Sequence, residues 1–161
     1  MMGGERGTQG GSAVDDDAGN ASVVDELTGL ANRQGFMEIL RMEERRHARY
    51  GGTPILVLVD LARALAERPA TEHPSLLIDV AEVLADAIRD TDTLARVDED
   101  RFAILAIQAG CSAASIVGRL RLHLELRRIH QVDVLVGEPG TLTSSWRSLE
   151  APARPTLRLV Q

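Results

Sequence analysis

The stretch that decides the fold spans residues 92–107 and reads Asp92-Thr93-Leu94-Ala95-Arg96-Val97-Asp98-Glu99-Asp100-Arg101-Phe102-Ala103-Ile104-Leu105-Ala106-Ile107. A short, mostly apolar run, Thr93 to Val97, precedes a charged segment, and a second apolar run, Phe102 to Ile107, follows it. Two β-strands joined by a tight turn produce this pattern, because the strand side chains pack into a core while the turn stays in water. The sequence therefore predicts a β-hairpin at this point of the chain.

Regular elements are also predicted on the N-terminal side of this hairpin. An apolar helical stripe begins in residues 34–49, which also carry a charged cluster that predicts one solvent-facing side. Residues 55–59 form a continuous apolar run that stops at Asp60, as expected of a strand buried on both faces. In residues 77–88 apolar side chains recur at helical spacing, which predicts a second helix that ends near Arg89.

A third helix and another strand are predicted on the C-terminal side. Residues 113–129 have an apolar helical face, and Leu122, Leu126 and Ile129 widen it, which predicts a helix buried on two sides. Residues 132–136 have the apolar composition of a strand. The order helix, strand, helix, hairpin, helix, strand predicts an α/β (α+β) fold in which helices pack against a sheet.

The two ends of the chain differ in composition from this central part. Residues 1–21 are rich in Gly, Ser and Asp and offer little apolar surface to offset ordering entropy, so we predict a disordered tail. Residues 141–161 are predicted to be an irregular extension, with residues 156–160 as a candidate edge strand. Residues 22–140 are predicted to form one domain.

Composition excludes several classes of function. The chain has 161 residues and a formal net charge of −6, which excludes the clustered positive charge needed for nucleic acid or an anionic membrane. No apolar run is long enough to cross a bilayer, so we expect a cytoplasmic protein. All 18 basic residues are arginine, which excludes lysine-dependent P-loop and Schiff-base chemistry. Cys111 has no cysteine partner, and the histidines lack the spacing of a zinc site, so we expect no disulfide and no metal site of that kind.

Three segments resemble parts of a known family. Residues 25–33, Asp25-Glu26-Leu27-Thr28-Gly29-Leu30-Ala31-Asn32-Arg33, resemble the D-x-L-T-G-L-x-N-R stretch that opens GGDEF domains of diguanylate cyclases. Residues 98–102, Asp98-Glu99-Asp100-Arg101-Phe102, stand in the place of the G-G-D-E-F signature, and residues 132–137 resemble a late strand of the family. The resemblance covers residues 23–137. It implies a nucleotide-cyclase palm, that is, a ferredoxin-like sheet with helices packed on it.

The resemblance assigns metal-binding positions to two aspartates. Working members of the family condense two GTP molecules into cyclic di-GMP across a dimer, with assistance from two metal ions. Asp60 matches a metal-binding aspartate, and Asp100 matches the acidic third letter of the signature. The alternative is that each is an ordinary aspartate at a strand end or in a turn. We expect no cofactor, and Mg²⁺ only if this vestigial site still binds metal.

Other positions depart from what that chemistry requires. Asp98 and Glu99 replace the two glycines and put carboxylates where a triphosphate should pass. Arg101 replaces the catalytic glutamate, and its fixed positive charge would oppose metal ions and cannot serve as a base. Further departures follow the first strand, where Ala62 replaces the second aspartate and Ala64-Leu65 replaces the Phe-Lys pair. Pro74 stands where the guanine-binding aspartate belongs, and the closing helix with its lysine is absent. We therefore expect no cyclase activity.

One binding element of the family is matched. Arg89-Asp90-Thr91-Asp92 fits the R-x-x-D inhibitory site, where Arg89 would bind phosphate and guanine of cyclic di-GMP and Asp92 would accept from guanine nitrogens. Arg121 on the third helix would supply a second arginine. The alternative is structural, with Arg89 complementing a helix dipole and Asp92 starting a turn.

Three functions remain open at this point. The first is a catalytically inactive GGDEF-like signalling domain that binds cyclic di-GMP at the R-x-x-D site. The second is a pseudoenzyme that serves as a protein-interaction or homodimerisation module without a ligand. The third, motivated only by Asp60 and Asp100, is an active diguanylate cyclase.

Overall fold

Helices and strands alternate through the part of the chain that the computed structural model describes, residues 22–107, 110 and 112–151. In chain order the elements are α1 (Arg33–Tyr50), β1 (Ile55–Asp60), α2 (Ala62–Ala66), a 3₁₀ turn (Ala70–Glu72), α3 (His73–Ala87), β2 (Thr93–Asp98), β3 (Arg101–Ala106), α4 (Ala113–Leu126), β4 (Asp133–Val136) and α5 (Leu142–Glu150). Among these residues no helix has both the length and the apolar character needed to span a membrane.

The strands form one antiparallel four-stranded sheet in the order β2-β3-β1-β4. Strand β1 lies in the centre, pairs with both β3 and β4, and has four consecutive buried residues, Leu56 to Val59. A continuous apolar run is what a strand covered on both faces requires, and the predicted burial is confirmed for residues 56–59, while Ile55 is half-buried.

Strands β2 and β3 form the predicted hairpin. Asp98 pairs with Arg101, so Glu99 and Asp100 make a two-residue connection. The register shifts between Arg96 and Asp98, where an extra residue forms a bulge that twists the end of β2. Among the described non-glycine residues only Arg128 and Gln131 have positive φ, so this turn is built without the left-handed conformations that glycines supply.

Helices cover both faces of the sheet. On one face α3 and α4 pack side by side over a core that includes Val57, Phe102 and Ile104. On the other face α1 and α5 cover a second core, in which the rings of Phe36 and Trp146 lie 5.3 Å apart. The fold class is therefore as predicted, a mixed sheet-and-helix domain with helices packed on the sheet.

Two sequence predictions about helices were wrong. Leu122 and Leu126 are 54% and 72% exposed, because α4 presents only one face to the core and its other side faces solvent. Ile129 is buried, but it lies beyond the helix, which ends at Leu126 before Arg128 turns the chain with φ of 55°.

The predicted irregular extension also contains a helix, α5. Thr141 caps it by accepting a hydrogen bond from the Ser144 N–H, and Leu142, Trp146 and Leu149 bury one face at helical spacing. A closing helix is thus present, although it carries no lysine. The predicted tail at residues 1–21, the candidate strand at residues 156–160 and Cys111 lie outside the described residues.

Candidate functional site

The end of β1 and the hairpin turn lie side by side. Asp60, the last residue of β1, pairs in register with Arg101, the first residue of β3. The N–H of Leu61 then donates a 2.8 Å hydrogen bond to the carbonyl of Asp100. This contact extends the β1–β3 ladder onto the turn, so the turn is fixed against the strand end. Asp60 and Asp100 thus lie next to each other at one end of the sheet.

Arg101 makes an ion pair with Asp60. The Nε–H of Arg101 donates to Oδ2 of Asp60 at 2.9 Å, and the Ala62 N–H donates to Oδ1 at 2.9 Å. The Asp60 side chain is 17% exposed and that of Arg101 37% exposed, so the pair is partly shielded from water. Both carboxylate oxygens of Asp60 therefore already accept hydrogen bonds from the protein.

Asp100 is held in an unfavourable environment for a negative charge. Its pKa is raised above the ordinary value, first by burial and second by the nearby negative charge of Asp60. Arg101 opposes this effect but does not cancel it. Two carboxylates at close quarters favour either a proton or a cation between them, and here the guanidinium of Arg101 is the cation.

The metal implied by the family does not fit these residues. A divalent ion needs several oxygen ligands with free lone pairs directed at one point. Arg101 contacts Asp60 where such an ion would approach, and its charge repels one. Within the described ranges no group of three or more histidine, cysteine or carboxylate side chains is placed to hold a metal ion.

The first two signature positions form a charged rim rather than a phosphate cradle. Asp98 and Glu99 are both exposed, and Oδ1 of Asp98 accepts a 2.9 Å hydrogen bond from the Glu99 N–H. Two clefts of about 290 and 420 Å³ flank this turn, and Asp98 lines both of them. Its carboxylate would repel the phosphates of a nucleotide entering from either side.

Residues 25–33 contact the β2–β3 hairpin through Asp25. Asp25 accepts hydrogen bonds from the N–H and hydroxyl of Thr28 at 2.9 and 2.7 Å, and it forms a 3.1 Å ion pair with Arg96 of β2. Burial raises the pKa of Asp25, but the Thr28 hydrogen bonds and Arg96 outweigh burial and lower it overall. Gly29 has φ of 72°, a conformation that the turn requires and that favours glycine.

Arg96 connects this motif to the signature turn, a role that the sequence reasoning missed. Besides its ion pair with Asp25, Arg96 donates from Nη2 to the carbonyl of Glu99 at 2.9 Å. A single arginine inside an otherwise apolar strand was the available clue, because a charge in a strand is tolerated when it has partners. Arg96 thus holds the turn and the start of the domain together.

A second cluster missed from the sequence joins α1 to α5. Arg33 forms an ion pair with Glu150, and its guanidinium lies 5.7 Å from the centre of the Trp146 ring. These three residues line the smaller cleft together with Asp98 and Arg101. One wall of this cleft is therefore built by the start of α1 together with α5, the helix that the sequence prediction lacked.

The segment after β1 is folded rather than open. Ala64 and Leu65 are buried in α2, and Nε2 of His73 lies 2.9 Å from the carbonyl of Leu65 and 3.1 Å from that of Arg68. Pro74 is in the first turn of α3, where its missing N–H is harmless. The loop that carries guanine-binding residues in the family is thus a short, internally bonded connection here.

The R-x-x-D residues form a closed turn after α3. Oδ2 of Asp92 accepts from the Arg89 N–H at 3.1 Å, and Oδ1 accepts from the Ile107 N–H at 3.4 Å. The Arg89 residue is exposed. Arg121 lies on α4, the helix that packs beside α3. Asp92 was predicted to start a turn, but it closes the turn that begins at Arg89, to whose carbonyl its N–H donates at 2.9 Å. The ligand contacts of Arg89, Asp92 and Arg121 remain predictions.

Comparison with known proteins agrees with this architecture. Residues 71–137 match the family model described as diguanylate cyclase, GGDEF domain. No curated protein matches the sequence.

Solved structures of GGDEF proteins share the fold. The diguanylate cyclase SiaD of Pseudomonas aeruginosa, solved with its activator SiaC, has a TM-score of 0.62 and 24% identity, over 80% of this chain and only 59% of that longer one. A DGC protein from Thermotoga maritima has a TM-score of 0.65 and 20% identity, over 78% of this chain and 97% of that one. The GGDEF domain of DgcB from Caulobacter crescentus, solved with c-di-GMP, has a TM-score of 0.64 and 20% identity, over 78% of this chain and 84% of that one.

Proposed function

We propose that this chain carries a GGDEF domain that acts in signalling without synthesising cyclic di-GMP. The observation that carries the proposal is the 2.9 Å contact between Arg101 and Asp60. Catalysis in the family depends on metal ions at this place, and an arginine bound to the aspartate both blocks and repels them.

The surroundings support the same proposal. Asp98 and Glu99 add negative charge at the entrance, where phosphates would have to pass. The chain has no lysine to neutralise a triphosphate, and the loop between β1 and α3 is short and bonded to itself through His73. Each missing contribution costs orders of magnitude in rate, and the losses affect metal binding, phosphate binding and guanine binding alike.

The test is an incubation of the purified chain with GTP and Mg²⁺ or Mn²⁺, followed by chromatographic separation of the nucleotides. We expect neither cyclic di-GMP nor the linear dinucleotide intermediate, while an active diguanylate cyclase assayed in parallel produces both. Formation of cyclic di-GMP that is lost in an Asp60→Asn variant would overturn the proposal and establish an active cyclase.

A second candidate function is binding of cyclic di-GMP at Arg89 and Asp92. The observation that favours it is the turn itself, which fixes Asp92 with two backbone N–H groups and leaves Arg89 exposed beside it. An exposed arginine offers donors to the phosphates of a cyclic dinucleotide, and the neighbouring carboxylate, held by the backbone, offers an acceptor to a guanine edge. This receptor role requires no catalysis and so agrees with the altered signature.

Isothermal titration with cyclic di-GMP separates this candidate from a ligand-free module. We expect micromolar binding that Arg89→Ala abolishes, and Arg127→Ala, at another exposed arginine, serves as the matched control. Absence of heat at high protein concentration, with GTP also silent, would leave only the protein-interaction role.

A further inference from the structure

The solvent-facing side of α1 carries a row of arginines. Arg41, Arg45 and Arg49 are all exposed, and because they are spaced four residues apart they follow one another along one side of the helix. Within the described part of the chain, none of these three side chains makes an ion pair or a side-chain hydrogen bond. We call Arg41, Arg45 and Arg49 the arginine stripe.

The carboxylates of α1 do not neutralise the arginine stripe. Glu44 accepts hydrogen bonds from the N–H and hydroxyl of Thr143, and Glu43 lies 3.5 Å from Arg46. Glu38, nearer the start of the helix, is the one exposed carboxylate on α1. Three unpaired arginines against one exposed carboxylate leave this side of α1 positive, in a chain whose net charge is −6.

The helix dipole accounts for only part of the arginine stripe. A cation in the last turn of a helix is favoured by the partial negative charge there, which explains Arg49, but the effect falls off within that turn. Arg41 lies about two and a half turns before the end of α1 at Tyr50. Like charges four residues apart also repel each other, so the row is favourable only when an anionic group lies against it.

The chain enters the domain on this side of α1. The carbonyl of Val23 accepts a 2.9 Å hydrogen bond from the Asn32 N–H, and a Cβ at Gly35 would lie only 2.5 Å from that carbonyl oxygen. Gly35 and Arg49 are separated by about four helical turns and so lie on nearly the same side of α1. The residues that precede Val23 therefore start at the near end of the side that carries the arginine stripe.

An acidic run precedes this entry point in the sequence. Residues 15–17, all aspartates, lie outside the described residues, as do residues 152–161, which contain arginines but no Asp or Glu. An extended chain spans about 3.3–3.6 Å per residue, so residues 15–17 can reach roughly 17–25 Å from Ser22. Arg41 and Arg45 lie roughly 14 and 20 Å along α1 from Asn32, at 1.5 Å per residue. The arginine stripe is thus within reach of the acidic run.

We propose that residues 15–17 bind the arginine stripe of the same chain. Each exposed ion pair contributes little, but the short connection to α1 raises the effective concentration of the acidic run to about the millimolar range. The contact covers the arginine stripe, so an acidic segment of any other protein must displace residues 15–17 before it binds there. This contact is independent of the proposed function, because it involves neither the Asp60 end of the sheet nor Arg89.

Paramagnetic relaxation enhancement in the full chain tests the proposal. A nitroxide is attached at position 18 in a chain that carries Ala18→Cys and Cys111→Ser, and the relaxation of the α1 amide protons is measured. At low salt we expect enhancement at residues 41–49. It should fall by about half or more in ~0.5 M NaCl, because the screening length shortens from about 10 Å at 0.1 M salt to about 3 Å at 1 M.

Charge reversal locates the contact. Arg41→Glu with Arg45→Glu should reduce the enhancement to its level in high salt, because the stripe then repels the acidic run. Adding Asp16→Arg and Asp17→Arg to that variant should restore the enhancement, since the two charges are exchanged.

Arg68→Glu with Arg127→Glu is the matched control, because it makes the same change in net charge at two exposed arginines outside α1. This variant should keep the enhancement of the original chain. Circular dichroism checks the folding of each variant, and the salt series needs no substitution in α1.

Three results would overturn the proposal. The first is an enhancement at residues 41–49 that neither salt nor the reversal of Arg41 and Arg45 changes. The second is an enhancement that the Arg68 and Arg127 control loses equally. The third is an enhancement that appears when a nitroxide-bearing chain is mixed with an isotope-labelled chain without nitroxide, since the contact would then join two copies.

Discussion

Reversing the charge of Arg101 tests the central feature of the site, the guanidinium that stands beside Asp60 in place of a cation. In Arg101→Glu the 2.9 Å attraction to Asp60 becomes a repulsion, and three carboxylates, at Asp60, Asp100 and the substituted position, meet at one end of the sheet. We expect the variant to be less stable than the original chain, and to recover stability when a divalent cation is added.

The magnitude follows from the geometry. Unit charges about 4 Å apart near a protein surface interact by about 4 kcal/mol, but exposure and lost side-chain freedom reduce the net contribution of such pairs to about 1 kcal/mol. Arg101 is 37% exposed, so the lower figure applies to loss of the ion pair. Added repulsion with Asp60 and Asp100 brings the expected loss to roughly 1–3 kcal/mol.

Divalent cations should then stabilise the Arg101→Glu variant but not the original chain. For the Arg101→Glu variant, an ion present at ten times its dissociation constant stabilises the folded state by about 1.4 kcal/mol. The original chain should gain nothing beyond the effect of ionic strength, because Arg101 already neutralises Asp60.

Urea unfolding followed by circular dichroism, with Mg²⁺, Mn²⁺ or NaCl at matched ionic strength, measures both effects. Arg46→Glu is the control, since Arg46 pairs with Glu43 on α1 at 3.5 Å and its side chain is 62% exposed. That variant should lose less stability and show no response to the metals. Equal metal stabilisation of the original chain, or an Arg101→Glu variant of unchanged stability, would refute the account of the site.

Three further substitutions probe the neighbouring elements. Asp100→Asn should raise the free energy of unfolding near neutral pH. The pKa of Asp100 is raised in the folded state, so the original chain loses stability as pH rises through that pKa, and the variant does not. The urea midpoints of the variant and the original chain should therefore converge at acid pH. Trp146→Ala should cost about 3–5 kcal/mol in urea unfolding, since the buried ring packs on Phe36, and a Phe at this position should restore most of the loss. Glu44→Ala should cost about 0.5–2 kcal/mol, because Glu44 accepts hydrogen bonds from the N–H and hydroxyl of Thr143 at the start of α5. Those bonds lower the pKa of Glu44, so its contribution is lost as pH falls through that pKa, and a cost that is the same at acid and neutral pH would contradict this role.

Local sequence patterns predicted most of the regular elements. The apolar run at residues 55–59, the helical spacing at residues 77–88 and the hairpin at residues 93–107 each correspond to an observed element. These elements depend on side-chain periodicity and turn composition within a short window, so a single sequence contains the needed information. The resemblance at residues 25–33 and 98–102 then implied the correct fold, which solved structures of GGDEF proteins share.

Patterns that depend on a distant partner were less informative. The apolar positions of α4 suggested burial on two sides, but the sheet covers only one, so Leu122 and Leu126 are left exposed. Helix α5 was missed because its few apolar residues stabilise a helix only when Phe36 and the sheet are there to receive them.

The site shows the same division. The sequence alone determined which residue types occupy the candidate site. These are a retained aspartate at position 60, carboxylates in place of the two glycines and an arginine in place of the glutamate. Only the tertiary structure decided that Arg101 and Asp60, 41 residues apart, bond to each other, and that Arg96 ties the turn to Asp25. The reason is physical, because an ion pair depends on the register between strands, and that register is fixed by packing of the whole sheet.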